Sequence, residues 1–247
     1  MRCGSRGEPR PTGLSAALFT FDGFRRGVRD GLPLGLSIFA YGLGFGLVAA
    51  QAGFGIAKAV ATSAAIYSGS AQLAAINLLQ TGGATLAALF ATILVINARY
   101  FLFGAALQPW LGQVSAPKAY GSLLLLGDAN WMVTMRAIAA GEEDRAYLAG
   151  TGTPMFVGWL TGTAIGAGAV SILPTPEALG FDLMLAAFAT AMTTAMVKVR
   201  GDLVPVAVGA AAALIIGKLA GPGLAVIGAG LAGGAVAAVT FRGKTGT

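Results

Sequence analysis

Between Gly31 and Pro117 the chain carries only two charged residues, Lys58 and Arg99. No soluble fold presents so long a stretch without charge, because an ordinary domain is about 25% charged. Over the full 247 residues the charged share is 11% against 56% hydrophobic, and the mean hydropathy is +0.77. The apolar runs repeat at about 18–24 residues, the length a helix needs to cross a bilayer. Alternating segments of about 10 residues, the mark of a membrane β-barrel, are absent. These features predict an all-α, polytopic membrane protein that fills nearly the whole chain.

The expected spans, about eight in number, run roughly 32–50, 59–80, 84–107, 118–138, 147–170, 181–198, 203–219 and 222–240. Residues 1–20, rich in Gly, Pro and Arg, read as a disordered cytoplasmic tail; a signal peptide over Leu14–Phe19 is disfavoured because its apolar region is short. Residues 21–240 form the membrane domain, and 241–247 are a second cytoplasmic tail. Phe21–Asp30 reads as an amphipathic interfacial turn ahead of the first span. With the N-terminus inside, twelve Lys and Arg fall on the cytoplasmic side and three, Lys58, Lys118 and Lys218, on the outer side. The positive-inside rule then places both termini in the cytoplasm of a multi-pass membrane protein. That placement accounts for most of the net charge of +6, so a nucleic-acid partner is not expected. A weak internal repeat is suggested by Pro33 and Pro154, each followed 34 residues later by Tyr67-Ser-Gly-Ser and Phe188-Ala-Thr-Ala.

Cys3 is the single cysteine and there is no His. No metal site, cofactor or nucleophile–base pair is expected, which argues against an enzyme. Chemistry has to come from the polar residues inside the apolar runs. Arg99 lies within Ile93–Phe103 beside Asn97 and Tyr100, and an ionisable group in a membrane helix costs roughly 2.5–3.5 kcal/mol unless it has a partner or a wet cavity. Two readings are open: a fixed cation in a cleft, or an arginine snorkelling to the headgroups. Asp128, deep in the fourth span, is the natural partner, either as a structural ion pair or as a coupling element that a proton or a substrate ammonium contests. Tyr67-Ser68-Gly69-Ser70-Ala-Gln72 interrupts the second span. It reads either as small-residue packing or as a break in a discontinuous helix, whose second half would offer its N-terminus to a carboxylate. Val226–Gly234 spells a dinucleotide fingerprint, but it lacks the required strand and acid, so it reads as helix packing.

Together Tyr67–Gln72, Asn97-Ala-Arg99-Tyr100, the Asp128 segment and the Gly-rich Pro154–Gly168 span resemble the AzlC family of branched-chain amino acid permeases. The resemblance covers about residues 24–240. Tyr67–Gln72 matches the family's aromatic-Ala/Ser-Gly-Ala/Ser-Ala-Gln run. Tyr100 stands where the family's Asn-x-Arg-His has His, and Gly127-Asp128-Ala129 keeps only the acid of Thr-Asp-Glu. The resemblance implies export of branched-chain or other hydrophobic amino acids, driven by the proton gradient, with a small AzlD-like membrane subunit as partner. Tyr67, Ser68, Gly69, Ser70, Gln72, Asn97, Arg99 and Tyr100 become the expected substrate-binding residues, with Asp128 and Arg99 as the coupling pair. A uniporter or exporter of another small solute, or a non-transporting scaffold, are the competing functions.

Overall fold

The computed structural model describes residues 18–80, 85–170, 203–220 and 222–242, with isolated positions 172, 190, 194, 197 and 201. Among the described residues all regular structure is helical. The elements are α1 (Phe21–Gln51), α2 (Ile56–Ile66), α3 (Gly69–Gln80), α4 (Leu86–Asn97) and α5 (Arg99–Leu111), then α6 (Ala116–Leu123), α7 (Asp128–Ala139), α8 (Ala146–Gly168), α9 (Leu203–Ala220) and α10 (Pro222–Arg242). The expected sixth span, the Phe188 half of the repeat and most of both tails lie outside the described residues.

Helix α1 starts at Thr20, whose hydroxyl accepts the Gly23 amide at 3.1 Å. It is continuous from Phe21, so the expected interfacial turn forms its first turns instead of a separate element. It stops at Gly53, where φ is +80°. There the Phe54 amide reaches back to Ala49 O and the Gly53 amide to Ala50 O, each at 2.9 Å, a Schellman ending. Helices α1 and α8 form the spine of the molecule. Gly27 lies against Tyr147 O, Gly31 against Thr151 O, Gly42 against Trp159 O and Gly46 against Thr163 O, and Gly150, Gly162 and Gly166 receive carbonyls of α1 in return. Numbers rise together along both helices, so they run parallel. A Cβ on Gly31 or Gly42 would stand only 2.6 or 2.7 Å from the facing carbonyl oxygen. Such approach is possible only where the side chain is absent.

The second and fourth expected spans do not cross the molecule. Helix α2 starts with Ile56 beside Gly168 and passes Thr163 at Ser63. It ends at Tyr67, whose ring meets Phe156 edge-on with centroids 5.0 Å apart. The chain then turns, and α3 climbs back until Ile76 packs with Ala49, Ala59 and Ala167 near the starting level. Helices α6 and α7 make the complementary excursion from the opposite end. Lys118 sits over Phe19 at 5.0 Å, and Leu125 and Asn130 reach Gly152, within the first two turns of α8. Glu142 then returns to Arg26, 3.0 Å away. Two helical hairpins thus enter from opposite ends, and their tips meet in the middle, where a Cβ on Gly127 would stand 3.8 Å from the Tyr67 ring.

The third expected span is crossed in full but bends by 40° at Ala98, between α4 and α5. Its far end, at Trp110, donates to Glu142 O at 3.0 Å. The expectation that Lys118 lies on the outer side is therefore corrected: it lies, with Trp110 and Glu142, at the end that carries Arg25, Arg26 and Arg29. By length and composition, α1 alone is able to cross a bilayer among the described residues, and α4 with α5 adds a second if the bent pair is one span. The Val226–Gly234 fingerprint lies inside α10, where Gly233 faces Pro205 O and Gly209 of α9. It is a packing seam.

Candidate functional site

The three breaks converge. Ser68 and Gly69 at the first tip, Gly127 and Asp128 at the second, and Arg99 at the α4–α5 bend all border one cavity of about 390 Å³. Each break has a local cause. Tyr67 takes φ +42°, a left-handed conformation uncommon for a bulky side chain. It ends α2 while its amide still bonds Ser63 O at 3.0 Å. At the other tip the Gly127 amide donates to Asn130 Oδ1 at 2.6 Å, and Asn130 Nδ2 donates to Leu125 O at 2.8 Å. One fully buried amide side chain therefore binds the turn that would otherwise leave backbone groups unsatisfied.

Arg99 Nη2 lies 3.0 Å from Asp128 Oδ2 and donates to Ser70 Oγ at 3.3 Å. The guanidinium thus ties both hairpin tips together and faces the bundle interior. The side chains of Arg99 and Asp128 are 38% and 24% exposed, so the pair is open to a solute entering the cavity. A pair of this kind suits a ligand carrying both signs, since each half can exchange its partner for a group of the ligand. Asp128 also opens α7, where the N-terminal end of a helix favours a negative charge. Arg99 Nε and Trp159 Nε1 are buried without a protein acceptor, which leaves each a donor for a bound molecule.

Of the residues expected from the sequence, Tyr67, Ser68, Gly69, Ser70, Arg99, Tyr100 and Asp128 line the cavity. Gln72 and Asn97 do not. Gln72 is 2% exposed and points one turn away, donating to Ser63 Oγ at 3.2 Å, which in turn meets Thr163 Oγ1 at 3.0 Å. One turn past the tip, α3 has already rotated that position toward α2 and α8. Asn97 ends α4 on the other side of the bend. The sequence reading missed the apolar wall: Ile38, Tyr41, Met155 and Trp159. Trp159 stacks on Phe45 with centroids 5.5 Å apart, and a Cβ on Gly69 would come within 2.6 Å of the Tyr41 ring and 3.0 Å of Trp159. A mid-span tryptophan was the available signal for this wall, yet nothing in the sequence pairs it with Gly69. Among the described residues no group of His, Cys, Asp and Glu is arranged to hold a metal ion.

The family model described as AzlC protein matches residues 33–173. That stretch runs from Pro33 in α1 past the end of α8, and it contains every residue of the cavity wall. No curated protein and no solved structure matches the chain.

Proposed function

The chain belongs to the AzlC family, with a membrane transport-related role, and on that premise we propose that it exports branched-chain or other hydrophobic amino acids across the bacterial inner membrane. The observation that carries this reading is the Arg99–Asp128 pair at the meeting point of two hairpins, set against an apolar wall in a cavity of about 390 Å³. That volume is at the small end of ligand sites, roughly 300–1,000 Å³. The substrate carboxylate takes the Arg99 guanidinium and the first turn of α3, and its ammonium takes Asp128. The side chain packs against Ile38, Met155 and Trp159. Binding therefore trades one internal ion pair for two ligand pairs, which limits the desolvation cost at the centre of the membrane.

Export is driven by the proton gradient in this reading. With no His in the chain, Asp128 is the acid placed to take the proton, which competes there with the substrate ammonium. α1 and the bent α4–α5 pair cross the bilayer, α8 lies along α1, and the α2–α3 and α6–α7 hairpins enter from opposite sides. The protein is a non-enzymic permease that works with a small AzlD-like membrane subunit. The exposed apolar residues Leu86, Phe90 and Leu94 on α4 suit contact with lipid or with such a subunit.

The test is efflux of labelled leucine from proteoliposomes holding the chain with a co-expressed small subunit. Arg99→Ala and Asp128→Ala are each expected to bring efflux to background at normal expression. Unchanged efflux in both rejects the site. A solute panel in counterflow separates amino acids from other small solutes, and no flux of any solute leaves the scaffold reading.

A further inference from the structure

A second cavity, of about 730 Å³, lies at the end of the molecule that carries the arginines, bordered by Arg26 and Asp30 of α1, Val133 and Ala137 of α7, and Tyr147 of α8. The first cavity borders the same three helices, at Ile38, Asp128 and Met155. On α8 the two cavities are two turns apart, roughly 12 Å. Helix α7 runs antiparallel to α8, its first residue at the inner cavity and its last turns at the outer one. Both therefore lie between the same three helices.

The turns of α7 and α8 between the two cavities carry Asn130, Thr134 and Thr151, each 0% exposed. The Thr134 and Thr151 hydroxyls meet at 3.4 Å, the long limit of a hydrogen bond. An apolar plug would close this gap without any polar group to satisfy. Hydroxyls are instead suited to a passage that is dry in one state and wet in another. The two walls also differ in rigidity. α1 and α8 interlock backbone against backbone along their length. α7 hangs between the Leu124–Gly127 turn and a loop whose Gly141 takes φ +97°. At the mouth, Arg26 grips Glu142 at 3.0 Å, and the Tyr147 hydroxyl donates to Asp30 at 2.7 Å.

We propose that Thr134 and Thr151 form the gate through which a solute passes from the outer cavity to the Arg99–Asp128 site, and that α7 is the moving wall. The proposal rests on the transport reading for its purpose, but the passage can be read without any flux. With Cys3 as the only cysteine, C3S provides a thiol-free background. In oriented membrane vesicles, T134C is expected to react with a small membrane-impermeant thiol reagent applied at the basic end. Its rate should exceed by about tenfold that of L148C, a fully buried position in the neighbouring apolar cluster. Equal rates at the two positions, or reaction only from the opposite end, overturn the proposal. In a second arm, T134C/T151C is oxidised to a disulfide between the two positions whose hydroxyls meet, its formation checked by mass. Leucine efflux is expected to stop and to return on reduction, while labelled leucine still binds from the other side. A disulfide seen by mass that leaves efflux intact also overturns the gate. Loss of the transport reading itself appears elsewhere, as leucine efflux that survives Arg99→Ala in the C3S background while T134C labelling is unchanged.

Discussion

Arg99 touches both hairpin tips, so its replacement removes two contacts at once: the ion pair with Asp128 at 3.0 Å and the bond to Ser70 at 3.3 Å. The conservative change tests geometry separately from charge. Arg99→Lys keeps the cation but loses the planar fork that reaches two partners. It is expected to lower leucine efflux by about tenfold without abolishing it, measured against Arg99→Ala in the same vesicles. At the basic end, Asp144 binds the chain before α1 to the start of α8. Its carboxylate accepts from the Thr20 hydroxyl, from the Thr20 amide at 3.1 Å and from the Ala146 amide at 3.0 Å. Burial by itself would raise its pKa, but the hydrogen bonds from Thr20 and Ala146 outweigh burial and hold it below the ordinary 3.8. A depressed carboxyl stabilises the fold fully above that ordinary value, and the stabilisation is lost as pH falls through the lowered one. Asp144→Asn is therefore expected to cost about 2 kcal/mol at pH 7, read as a lower Tm in detergent. The gap between variant and parent should close only under strongly acid conditions.

Among the elements, α1 and α8 owe their pairing to missing side chains. Gly42→Leu sets a Cβ 2.7 Å from Trp159 O, and neither backbone can retreat without parting the helices. Destabilisation of about 3 kcal/mol is expected, measured by thermal unfolding in detergent. Gly104→Ala is the control. A Cβ there meets nothing within 4 Å, and helix propensity favours alanine by about 1 kcal/mol, so this variant should be as stable as the parent or more so. The hairpins were harder to foresee. An apolar run of about 20 residues has the same hydropathy whether it is one helix or two half-helices folded back. Tyr67-Ser-Gly-Ser did signal a break, through a glycine and clustered hydroxyls. Leu124–Gly127 offered only a glycine before an acid, and the amide that stabilises its turn, Asn130, lies a turn further on.

Across the whole molecule, the hairpins change which loops share a side. Lys118 belongs with Phe19 and Glu142, so it moves to the basic end and makes the charge asymmetry steeper in the sense the positive-inside rule requires. In a C3S background, K118C and E143C are expected to react with an impermeant thiol reagent from one face of the membrane, and K58C from the other. Reaction of K118C and K58C from the same face would contradict the re-entrant α6–α7 hairpin. The sequence alone determined that the chain builds an apolar helical domain, and that Arg99 and Asp128 are the charges needing an explanation, because composition and the cost of an isolated ion in lipid are local properties. It also supplied the fingerprint of the family. Only the tertiary structure decided that two apparent spans fold back, that three breaks share one depth, and that Gln72 turns away while Met155 and Trp159 close the cavity. These outcomes depend on which backbone surfaces can approach one another, and that is a property of pairs of helices far apart in the chain.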